Sequence, residues 1–196
     1  SAEAFKLAFE ALNSDKAGNL EECVKKGRAS LALEEQPRTR LHLSSCENRA
    51  GKLVDALKDA LQALEYAYKR GDEAVTKIAT PRVNELRERI PHITFVPPPG
   101  VGDLAVKFDE RPVPVANLTK RYSIDPGKHT VVAEGTVNGF PATFQQEYEV
   151  KERELITVNI TLKPPVSDVI TPGQIRCMLE AKSQDDVQKC LPQNRK

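Results

Sequence analysis

Tryptophan is missing from this chain of 196 residues, methionine occurs once, and aromatic residues make up 5% of it. So few flat side chains leave little from which to build a stacking platform for bases or sugars. Charge of either sign is not in excess: 29 Lys and Arg stand against 28 Asp and Glu. There is no basic run of the kind a phosphate backbone favours and no acidic tail, so no nucleic-acid partner is expected. No apolar stretch approaches the length of a bilayer crossing, and no transmembrane segment is expected. Cysteine is sparse, no pair forms C-x-x-C, and His42, His92 and His129 are scattered. Neither a metal site nor a cofactor is therefore expected.

Catalytic signatures are lacking too. His42 and Ser45 stand three apart on a helix, and no glycine-rich elbow surrounds the serines. The stretch GVGD at 100–103 has no lysine and no following helix, unlike a phosphate loop. The expectation is a chain with no catalytic residue, not an enzyme.

What is present is sharply divided by proline. Twelve of the 14 prolines lie from Pro91 onward. The part before reads as helices, beginning with an apolar face of Phe5, Phe9 and Leu12. Asn19 with Glu22 three residues on predicts the start of a second helix. Gln36-Pro37 and Gly51 separate a third and a fourth, and a fifth begins near Asp72, with a kink or break expected at Thr80-Pro81.

Placing KAGNLEECVKKGRAS over RAGKLVDALKDALQA aligns Gly18 with Gly51, an offset of 33 residues. Leu20 then falls on Leu53, Cys23 on Ala56, Gly27 on Ala60 and Ser30 on Ala63. Small residues recur where paired helices would cross closely. This period and spacing resemble the tetratricopeptide (TPR) repeat over residues 4–70, with Ala11 and Ser44 matching its first-helix small residue and the fifth helix as a cap. Leu7 and Arg40 stand where that repeat has a large aromatic residue.

The middle of the chain is a series of short β-rich runs. Ile156, Val158, Ile160 and Leu162 alternate with Leu155, Thr157, Asn159 and Thr161, so one face is buried. Asp125-Pro126-Gly127 is a turn, and Asn138-Gly139 a hairpin signal. Val106, Asp109, Pro112 and Val113, followed by Asp125, Pro126, Gly127, His129 and Val131, resemble the PEGA-type module. Helical repeats leading into such a module look like an arrangement of bacterial envelope proteins. That resemblance implies an exported protein that acts by binding, periplasmic or extracellular, a membrane-anchored lipoprotein among its forms.

The four cysteines suggest two local bridges. Cys23 and Cys46 fall on helices that would be neighbours in a repeat stack. Thr171-Pro172 and Ser183 start two tail helices, and Cys177 and Cys190 lie nearly equally far from the turn between them. Two such bridges suit an oxidising compartment. The TPR resemblance also places Arg38, His42, Ser45 and Arg49 of the second repeat, with Asp15 and Lys16 of the first, at a concave face suited to an acidic or C-terminal peptide.

The expected fold class is α+β. TPR-like antiparallel helical repeats span 1–91 and a small antiparallel β-sandwich spans 92–163. A linker and a C-terminal disulfide-stapled helical hairpin span 164–196. The expected function is a non-catalytic protein–protein interaction or scaffold protein of the bacterial cell envelope, its partner another protein or peptide. The alternative is a carbohydrate- or cell-wall-binding module in which the sandwich takes up polysaccharide.

Overall fold

A computed structural model describes residues 1–137, 139–163, 176–177 and 179–180. Five helices come first: α1 (Ala2–Lys16), α2 (Leu20–Leu33), α3 (Pro37–Arg49), α4 (Leu53–Arg70) and α5 (Glu73–Arg89). Three of their connections are the same turn. After α1, α4 and α3 the chain passes through Gly18, Gly71 and Gly51 with φ of +77°, +68° and +76°. The next amide bonds back to the carbonyl five residues earlier: Asn19 to Ser14, Asp72 to Ala67 and Lys52 to Glu47, each at 2.9 Å. This left-handed cap satisfies carbonyls that a helix end leaves open, and glycine adopts it without a Cβ penalty. Asn19 and Asp72 then cap the following helices, accepting from the amides of Glu22 and Val75.

The small residues lie where helices meet. Ala56, Ala60 and Ala63 of α4 are fully buried, as is Cys23 of α2. A Cβ added to Gly27 would stand 3.3 Å from Leu43 Cδ1, so α2 and α3 approach as closely as a bare backbone allows. Two buried serines use their hydroxyls across such contacts. Ser30 donates to the Ala4 carbonyl and Ser44 to the Ala56 carbonyl, both at 2.7 Å. On α1 the apolar face divides unexpectedly: Ala4 and Ala11 are buried while Phe5 is 75% exposed and Phe9 54%. Helix α5 runs through Pro81 without the expected break. Pro81 is exposed, so the carbonyl one turn back that loses its amide partner lies on the solvent side.

Seven strands follow among the described residues. Sheet one has the order β4 (Tyr122–Ser123), β1 (His92–Val96), β7 (Leu155–Asn159). Sheet two has the order β3 (Arg111–Val113), β2 (Gly102–Phe108), β5 (Gly127–Val137), β6 (Phe140–Val150). Their shared core is built on Ile93, Phe95, Val106, Leu118, Ile124, Val131 and Val158. In the last strand region Val158 and Ile160 are buried and Thr157 and Asn159 exposed, as the alternation requires.

The expected fold class needs two corrections. The β-region is not purely antiparallel, because β1 and β7 pair in parallel, His92 opposite Leu155 through Val96 opposite Asn159. Both strands lead away from the helices, and the rest of the β-region serves as the crossover that parallel neighbours need. The disulfide described here lies inside the helical region, joining Cys23 of α2 to Cys46 of α3 with Cα atoms 6.2 Å apart. It is the α2–α3 crossing, not a C-terminal hairpin, that brings two Cα atoms within bridging range. Cys190, and with it the expected Cys177–Cys190 pairing, and most of the expected hairpin lie outside the described residues.

Helices and strands are bonded to each other. Asp125 Oδ1, from the turn before β5, accepts from the Val54 amide at 2.8 Å. Helix α4 has no side-chain cap of its own at Lys52, so a carboxylate from the β-region caps it. Arg89 at the end of α5 makes a two-pronged contact with Glu152, at 2.8 and 2.7 Å. The Arg153 amide donates to the Arg89 carbonyl and the Ile124 amide to the Pro91 carbonyl.

Ala63→Leu should overpack the α4 crossing and lower stability by on the order of 1–3 kcal/mol. Lys58→Leu, on the exposed side of the same helix, should change it by less than about 0.5 kcal/mol. Equal effects in urea unfolding would refute the close crossing. Asp125→Ala should cost roughly 0.5–2 kcal/mol through the lost cap, with Asp125→Asn retaining most of it; indistinguishable melts for the two variants would count against the cap.

Candidate functional site

The first helices of the successive hairpins, α1 and α3, and the closing helix α5 share one side of the bundle. Between α3 and α5 runs a groove of about 480 Å³. Arg38, Leu41, His42 and Ser45 line it from α3, and Ala74, Val75, Ile78 and Arg82 from α5. Leu41 and Val75 are buried and form its floor, while Ile78 is 54% exposed. Arg82 Nη1 donates to the Leu41 carbonyl at 3.1 Å, which ties the two walls together. Arg38 extends into solvent, 3.6 Å from Asp72 in the α4–α5 turn. Among the described residues no carboxylate lines the groove.

Of the six residues placed at the concave face from sequence, Arg38, His42 and Ser45 line this groove. Asp15 and Arg49 do not; Asp15 meets His42 and is in turn paired with Arg49. The His42 ring nitrogen Nε2 stands 3.1 Å from Asp15 Oδ2, and Arg49 is paired with Asp15 Oδ1. Lys16 is exposed in the last turn of α1, outside the groove lining. Ile78 and Arg82 were not singled out from sequence, because α5 lies beyond the repeat that guided the choice. Their spacing of four on one helix is the signal that was available.

The same network reaches the disulfide. Cys46 Sγ lies 3.9 Å from His42 Nε2, and potential ligand atoms of Asp15, Cys23, His42 and Cys46 all fall within 4.8 Å of one another. The scattered histidines and isolated cysteines of the sequence conceal this cluster, which three separate helices assemble.

On the opposite side of the bundle lies a polar cluster with a buried acid. Glu47 is fully buried in α3. Its Oε1 accepts from Arg28 Nη2 at 2.7 Å, and the same nitrogen reaches Asp55 Oδ2 at 2.7 Å. Glu47 Oε2 has no hydrogen-bond partner. Burial pushes the Glu47 carboxyl up to about 8 against the pull of Arg28, and the Asp59 carboxylate adds to the rise. Asp59 is itself held by Arg40, which also grips Glu35 and reaches Gln62 at 2.6 Å. Arg40 is thus engaged by two carboxylates and a side-chain amide.

In the β-region, His129 and Asp109 have the outline of a general-base pair, with Nδ1 2.6 Å from Asp109 Oδ2. The other ring nitrogen is taken by the Asp125 carbonyl at 2.8 Å, and the ring stacks on Phe108 with centroids 5.0 Å apart. Asp109 Oδ1 also accepts from the Thr130 amide. His129 thus has both ring nitrogens engaged within the chain. Its geometry locks the β2–β3 turn, where Asp109 and Glu110 hold φ of +47° and +64°, against the start of β5.

The raised Glu47 pKa has a consequence for stability. Between the ordinary carboxyl value and about 8 the folded chain holds a proton that the unfolded chain has released. Its contribution is fully present at low pH and is lost as pH rises toward 8. Glu47→Gln should therefore gain stability relative to the parent chain as pH goes from 5 to 9, on the order of 1 kcal/mol or more at the upper end. Parallel stability–pH curves for the two chains would contradict this assignment.

Compared with known protein families, with curated proteins and with solved structures, the chain has no match.

Proposed function

We propose that the chain is a non-catalytic interaction protein and that the α3–α5 groove takes an acidic peptide with an apolar side chain. One observation carries the reading: Arg38 and Arg82 flank an apolar floor of Leu41, Val75 and Ile78, with no carboxylate among the lining residues. An aliphatic or aromatic side chain would cover the floor, and a peptide carboxylate would find a cation at the groove's edge. On this reading the helices are a pair of TPR-like repeats, supported by the shared glycine turns and small-residue crossings. The β-region is a PEGA-type spacer or second contact surface. The exposed Phe5 and Phe9 of α1 offer further apolar area on the helical part. An exported, periplasmic or extracellular place in the cell envelope is supported by the Cys23–Cys46 bridge, since such bonds persist where the environment is oxidising.

Fluorescence anisotropy with labelled peptides would test the groove on the full chain. A Leu/Phe-containing acidic peptide should bind, and its lysine-substituted counterpart should not. Arg38→Glu and Ile78→Asp, both at exposed positions, should each weaken binding at least five-fold without changing the melting temperature. Unchanged affinity in both variants would overturn the proposed site. Retention of cell-wall polysaccharide by the full chain, unaltered by those substitutions, would favour the carbohydrate-binding alternative.

A further inference from the structure

We infer that Asp15, Cys23, His42 and Cys46 form a zinc site that is available when the Cys23–Cys46 bridge is open, so that disulfide and metal are alternative occupants of one site. Helices α1, α2 and α3 each contribute. His42 and Cys46 are four apart on α3 and therefore share a face; Cys23 comes from α2, and Asp15 from the end of α1. Two thiolates, one imidazole and one carboxylate make a donor set that suits Zn²⁺ in tetrahedral coordination.

The geometry is near what that requires. Bonds of about 2.0–2.3 Å in a tetrahedron set ligand atoms roughly 3.3–3.8 Å apart. Here all four potential ligand atoms lie within 4.8 Å of one another, His42 Nε2 is 3.9 Å from Cys46 Sγ and 3.1 Å from Asp15 Oδ2. Shifts of about 1 Å or so in side-chain position would close the shell around an ion once the sulfurs separate. The outer shell is in place as well: Arg49 holds the second oxygen of Asp15 and so orients the ligating carboxylate. Both cysteines are fully buried, which keeps competing water from the sulfurs. The Asp15 and His42 side chains are 18% and 24% exposed, which gives the ion a way in.

The chemistry balances without an internal reductant. A phosphine or an external dithiol delivers two electrons to the S–S bond, and two protons complete the thiols. With a phosphine, water supplies the oxygen of the phosphine oxide. Zn²⁺ then displaces the two thiol protons, and the neutral imidazole and the Asp15 carboxylate complete the shell. An external disulfide, taking up the two electrons and two protons and leaving as two thiols, would rejoin the two sulfurs and release the ion.

The test uses the full chain with Cys177→Ser and Cys190→Ser, so that Cys23 and Cys46 are its only cysteines. It is refolded from denaturant with or without a phosphine and titrated with Zn²⁺ against a chromogenic chelator. The reduced chain should take up one zinc per molecule and the oxidised chain none. Zinc should raise the melting temperature of the reduced form only. Cobalt in its place should give the absorption of a tetrahedral thiolate complex. His42→Ala and Asp15→Asn should each weaken zinc binding ten-fold or more while their oxidised forms still melt cooperatively. If the reduced chain does not fold alone, zinc should restore its helical circular dichroism. Equal zinc uptake by oxidised and reduced chains, no effect of either substitution on affinity, or failure of zinc to refold an unfolded dithiol form would each overturn the inference.

Discussion

The close crossing of backbones between neighbouring helices is the constraint on which the rest of this molecule depends. Helices that meet through leucines stand apart by the length of the side chains. Here Gly27 meets Leu43 directly, Ala56, Ala60 and Ala63 are fully buried, and serine hydroxyls reach backbone carbonyls across the contacts. Such contacts leave little slack, since an added methylene in a packed interior must displace something. They also bring residues of different helices to bonding distance. The Cys23–Cys46 bridge closes a loop with a sequence separation of 23 residues. In the chain-entropy model a closure of that order contributes roughly 3 kcal/mol.

The helical part is joined to the β-region through polar bonds at helix termini. Asp125 caps α4 from outside, and Arg89 joins the end of α5 to Glu152. Helix ends carry unsatisfied amides and carbonyls, and a neighbouring element that satisfies them acquires a defined position. The Asp125 carbonyl engages His129 while its carboxylate caps α4, so one residue links the order of the β-region to that of the bundle.

Nearly balanced net charge hides a local separation. One face of the bundle concentrates carboxylates around Arg28 and Arg40, where Glu47 is buried with an unsatisfied oxygen. The opposite groove carries Arg38 and Arg82 above apolar residues. Composition reports the sum, and only the folded arrangement reports the separation. The buried acid couples stability to pH, while the groove's Arg38 lies exposed at the surface.

The sequence by itself determined the local elements. Asn19 and Asp72 mark helix starts, glycines at 18 and 51 mark turns, and strict alternation in 155–162 orients the last strand. These depend on neighbours a few residues away, which a linear reading can see. The small residues likewise pointed to close helix crossings, because a large side chain at those positions would hold the backbones apart. What only the tertiary structure decided depends on meetings between distant residues. Asp125 reads as a turn former, and only folding makes it the cap of a helix 71 positions away in sequence. Pro81 reads as a break, yet it sits on an exposed helix side where its missing amide costs little. The parallel pairing of β1 with β7 joins strands separated by the remainder of the β-region. Phe5 and Phe9 read as one apolar face with Leu12, yet they remain outside while Ala4 and Ala11 of the same helix are buried. Asp15, Cys23, His42 and Cys46 carry no shared spacing, and it is the crossing of three helices that gathers them.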